Sequence, residues 1–73
     1  MFTITDAEVI IEFANNNMNQ MKTSQACFLC YSSIAYHLSK VRRETGLNPR
    51  CFFELVELVT MAKEFLNNPL QTI

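Results

Sequence analysis

The sequence predicts an all-α fold, a compact three-helix bundle that pairs as a homodimer. Glycine occurs once in 73 residues, and strand-like alternation is nearly absent. Apolar residues instead recur at helical spacing in three segments. Each segment is bounded by residues that start or stop helices. The predicted helices cover about 6–20, 24–45 and 49–66 of a single domain spanning 1–73.

The first helix starts on Thr5-Asp6-Ala7-Glu8, which fits a capping box between Thr5 and Glu8. Ile4 and Val9 then take the hydrophobic-staple positions. Ala7, Ile10, Ile11, Phe13, Ala14, Met18 and Met21 share one face, with Glu8, Glu12, Asn15, Asn16 and Asn19 opposite. The asparagine run has poor helix propensity and ends the helix between Asn17 and Met21.

Thr23 or Ser24 caps the second helix. It runs to Thr45, where Gly46 supplies a left-handed stop. Its expected buried arc is Cys27, Phe28, Cys30, Tyr31, Ile34, Ala35, Leu38 and Val41. Arg42 and Arg43 sit in the last turn, where the helix dipole favours cations. Asn48 and Pro49 begin the third helix, with Leu47 and Phe52 as its staple. Asn67-Asn68-Pro69 ends it, and 70–73 form a tail. The short Gly46–Asn48 link places the second and third helices side by side and antiparallel.

Composition removes several classes of function. A net charge of −1 gives no whole-chain attraction to nucleic acid. No apolar run approaches the ~18 residues that span a bilayer, and the first residues carry no basic, apolar leader. Three cysteines cannot close a disulfide framework, so the expected setting is cytoplasmic and reducing.

Cys27-Phe28-Leu29-Cys30, with Cys51 and His37, invites a zinc reading. On a continuous helix His37 stands about 10 Å beyond Cys30. Zinc bonds of about 2.0–2.3 Å cannot bridge that distance. A redox C-x-x-C needs a helix N-terminus beside a sheet, and none is predicted. The cysteines are therefore read as small apolar groups. His37 is the only histidine, with Ser33 one turn back, which is too little for a catalytic set. No catalytic residue, metal site or cofactor is assigned.

The apolar surface exceeds what so short a chain can cover. The third helix is apolar over about half its circumference, against the ~100° stripe a surface helix needs. Phe53, Val56, Thr60 and Met61 are assigned to self-association. On the second helix Leu29, Tyr36, Lys40 and Arg43 are assigned to a partner protein. The expected function is non-enzymatic protein binding, as an inhibitor, adaptor or regulator. Compact domains of this size are common among accessory proteins of viruses and mobile elements, an analogy of class alone. The alternative uses Lys40, Arg42, Arg43 and Arg50, which cluster around the Gly46 turn. They would hold a nucleic-acid backbone, a nucleotide or a small anion.

Overall fold

The computed structural model describes residues 2–67, which form four α-helices and no strand. They are α1 (Ile4–Asn15), α2 (Gln20–Cys27), α3 (Tyr31–Thr45) and α4 (Phe52–Asn67). The all-helical class stands, but the count is four, not three. The stop expected at Asn68-Pro69 and the tail over 70–73 lie outside the described residues.

Helix α1 begins two residues earlier than its sequence suggests. Thr3 is the N-cap, and the capping box pairs Thr3 with Asp6 rather than Thr5 with Glu8. The Asp6 N–H donates to Thr3 Oγ1 at 3.1 Å, and the Thr3 N–H donates to Asp6 Oδ2 at 3.0 Å. The staple positions therefore pass to Phe2 and Ala7. Phe2 packs on the core with its ring 6.0 Å from that of Phe65, while Ile4 is exposed.

Helix α1 ends at Asn15, short of Asn17. The Asn17 N–H donates to the Ala14 carbonyl and the Met18 N–H to the Phe13 carbonyl. This is a Schellman closure, with Asn17 and then Met18 at positive φ. Asn19 next caps α2 by accepting from the Lys22 N–H at 2.9 Å. Thr23 and Ser24 do not cap; they are buried, and their hydroxyls donate to the Asn19 and Met21 carbonyls.

The expected second helix is broken in two. The Phe28 N–H donates to the Gln25 carbonyl and the Leu29 N–H to the Ser24 carbonyl, another Schellman closure. Phe28 occupies its left-handed position at φ 57°. The chain restarts with Cys30 as an N-cap that makes no side-chain cap bond. The break lets α2 and α3 each lie against α1.

Helix α4 starts at Phe52, not Pro49. Asn48 Oδ1 accepts from the Arg50 N–H, and the Cys51 N–H closes on the Asn48 carbonyl. Pro49 is buried within this turn. The extra turn lengthens the connection and swings α4 onto α1 rather than alongside α3. Helix α1 is thus the central element. Ala7, Val9, Ile10 and Phe13 meet Ile34, Leu38 and Val41 of α3 and Leu55, Leu58 and Ala62 of α4. Each large apolar side chain so buried contributes about 1.5–3 kcal/mol.

Candidate functional site

The most unusual core residue is Asp6, a carboxylate with no solvent exposure. It lies one turn before Ile10 on the apolar face of α1, so the helix carries it inward. There it faces α3. His37 Nδ1 stands 2.7 Å from Oδ1, and Lys40 Nζ donates to Oδ2 at 2.6 Å. An ionised carboxylate only accepts, so Nδ1 carries the imidazole proton. Burial pushes the Asp6 carboxyl up. Hydrogen bonds from Lys40, His37 and the Thr3 N–H outweigh that and hold it below its ordinary value. The bond to Asp6 raises the Lys40 ammonium above its own ordinary value, against a smaller opposing effect of burial.

An Asp–His pair is half of a familiar general-base arrangement. The other half is a nucleophile on the far ring nitrogen. Among the described residues no hydroxyl or thiol is hydrogen-bonded to His37; its other neighbour is the Tyr36 ring, edge-on at 5.3 Å. Burial, followed by the Glu12 and Glu8 carboxylates, pushes the Cys27 thiol up, away from the thiolate form a nucleophile needs. The Asp6 cluster therefore reads as the tie that sets α1 against α3.

The break at Phe28 redistributes the residues expected to meet a partner. Leu29 is no longer on the helix that carries Tyr36. It is half-buried beside the core, whereas Tyr36, Lys40 and Arg43 follow one another along α3. Tyr36 is 56% exposed, but Lys40 turns inward to Asp6. Phe28, Cys30 and Tyr31 were expected in the core; Phe28 is 92% exposed, and Cys30 and Tyr31 also lie at the surface. The reason is geometric. Their place in a buried arc required helical phase to continue from Cys27 to Tyr31, and the left-handed residue resets it.

The basic set is likewise divided. Lys40 is bound to Asp6, and Arg50 Nη2 donates to Gln20 Oε1 at 2.7 Å. Arg42 and Arg43 stay exposed in the last turn of α3. Two of the four charges proposed to hold an anion are thus engaged within the chain. The described residues contain no group of three or more His, Cys, Asp or Glu placed to hold a metal ion. Nor do they contain a helix long and apolar enough to cross a membrane.

Helix α4 keeps a large apolar surface in water. Phe53 is 79% exposed, Phe52 61% and Val56 50%. The Phe52 and Phe53 rings meet edge-on, with centroids 5.4 Å apart. Phe52, Val56 and Thr60 line one wall of an open groove of about 420 Å³, with Ala14, Asn17 and Met18 opposite. Phe53, Val56, Thr60 and Met61 are all exposed on α4, and of these Val56 and Thr60 line the groove.

A second groove, of about 490 Å³, runs between α1 and the α2–α3 turn. Val9, Ile11, Leu29 and Leu66 give it apolar walls, Glu8 and Glu12 contribute carboxylates, and Phe28 stands at its edge. Sequence reasoning missed this site because it assumed an unbroken helix through Phe28. In comparisons with known proteins the chain matches no family model, no curated protein and no solved structure, so its surfaces are read from their chemistry alone.

Proposed function

We propose that this chain acts by binding other proteins, as an inhibitor, adaptor or regulator, and performs no chemistry of its own. One observation carries the reading: Phe28, Phe52 and Phe53 stand in water, between 61% and 92% exposed, although the helices already bury a shared apolar core. Each phenylalanine offers about 150–250 Å² of contact area. Exposed aromatic surface of this kind marks protein contacts.

The α4 face suits a second copy of the same chain. Phe52 of the exposed Phe52–Phe53 pair lines a groove large enough for an aromatic ring, since about 150 Å³ is enough for benzene. A two-fold axis near Val56 would seat Phe53 of each copy in the groove of the other. Such a contact uses one self-complementary patch. Phe53, Val56, Thr60 and Met61 are the residues assigned to pairing.

Capture from an extract of the producing cells tests the binding role. Immobilised wild-type chain should retain one or a few proteins in near-stoichiometric amounts. A folded Phe28→Ala/Phe53→Glu variant should retain at least about tenfold less. Equal retention by both, or none by either, overturns the reading.

A further inference from the structure

Phe28 carries two costs at once. Its φ of 57° lies where bulky residues are rare, because there a Cβ crowds the following carbonyl oxygen. Its side chain is 92% exposed, so the ring recovers none of that cost by packing. Glycine in this Schellman position would close α2 without strain. A strained aromatic residue held out in water is a reason to look for what it meets.

What it would meet is defined by the groove beside it. Ile11, Leu29 and Leu66 give an apolar lining, and Glu8 and Glu12 are one turn apart on α1. Among the described residues no Lys, Arg or His lines the groove. The two carboxylates make it electrically negative, and the nearby Cys27 thiol feels both. An apolar cleft with two acidic groups and no basic one is complementary to a segment that carries large apolar side chains flanked by Lys or Arg.

We propose that the Phe28 groove binds a cationic amphipathic segment of a partner protein, with an apolar anchor against Ile11, Leu29 and Leu66, the Phe28 ring closing over it, and Lys or Arg side chains on Glu8 and Glu12. This rests on the protein-binding reading above and names the chemistry of the partner. The groove volume of about 490 Å³ exceeds what one aromatic ring needs and suits one or two anchors. Pairing through α4 uses different residues, so a paired chain would present the groove twice.

The test is selection from a displayed library of random peptides about twelve residues long, some three helical turns. The full chain is the bait. Enriched peptides should combine one or two large apolar residues with a net positive charge. Their binding should weaken as salt rises. It should fall at least about tenfold on Phe28→Ala and on Glu8→Gln/Glu12→Gln. Both variants change exposed or rim side chains and should melt close to wild type. Enrichment of acidic or uncharged peptides, unchanged binding on either variant, or no enrichment overturns the proposal. Peptides lost on Phe53→Glu but kept on Phe28→Ala overturn it too, yet leave the protein-binding reading standing.

Discussion

The Asp6 carboxylate meets His37 Nδ1 at 2.7 Å across thirty-one positions of chain, with no solvent contact of its own. The same carboxylate holds Lys40 and caps the start of α1. One side chain therefore fixes where α1 begins and where it lies on α3. Removing one member of a buried ionic cluster costs more than the cluster contributes, because the remaining groups are left unpaired. Asp6→Ala should lower unfolding stability by about 3 kcal/mol, cap loss included. In a domain this small that corresponds to a drop in melting temperature of roughly 12–24 °C. Lys40→Met should cost less, because His37 and the Thr3 N–H still satisfy the carboxylate. Urea unfolding of both variants checks the order; an equal or reversed order would show that Asp6 is not the organising member.

The same cluster sets the dependence of stability on pH. The Asp6 carboxyl is held below its ordinary 3.8. A lowered acid contributes stability above its unfolded value and loses it as pH falls through the folded value. Lys40 is raised above its ordinary 10.5, so its contribution is present below 10.5 and lost as pH rises through the folded value. Melting temperature should therefore fall on acidification below about pH 4. The fall should be shallower in Asp6→Asn, which has no carboxyl to protonate. Superimposable acid limbs for the two proteins would remove Asp6 from the explanation.

Phe28→Gly should make the chain more stable. The substitution relieves the left-handed strain and removes almost no packing, since the ring is exposed. The greater backbone freedom of glycine offsets part of the gain. The net expectation is a rise of about 0.5–1 kcal/mol by denaturant unfolding. Binding of cationic amphipathic peptides should be lost in the same variant, as when activity is held at a cost in stability. Destabilisation by Phe28→Gly would mean that the ring packs in solution.

Core and surface should separate cleanly. Phe13→Ala and Leu58→Ala each remove a side chain buried to 1% exposure or less, and should cost about 3–4 kcal/mol. Tyr36→Ala alters a half-exposed ring and should cost less than about 1 kcal/mol. Thermal unfolding monitored by circular dichroism decides. A Tyr36→Ala loss equal to that of Leu58→Ala would place Tyr36 in the core.

Much of the fold is legible in the residue order. Gly46 marks the end of α3, with its N–H returned to the Arg42 carbonyl. Asn48 and Pro49 mark the approach to α4, three residues ahead of its first turn. The outward positions of Phe53 and Met61 follow from helical spacing. Two features are hidden. The break after Cys27 is made by a phenylalanine in a conformation that residue preferences assign to glycine or asparagine. Nothing local announces it. Asp6 is hidden because a first-turn aspartate is ordinarily a solvated cap. Its burial depends on two groups thirty or more positions away, which no local pattern reports. The groove lined by Phe28 depends on the break, so it was no more visible than the break itself.

If a second copy covers the apolar face of α4, light scattering on the purified chain from micromolar to millimolar concentration should give a mass that climbs from 8.4 kDa toward twice that value. A folded Phe53→Glu variant should stay at the lower mass throughout. A wild-type chain that holds 8.4 kDa over the whole range, with Phe52 and Phe53 in water, would contradict pairing through α4.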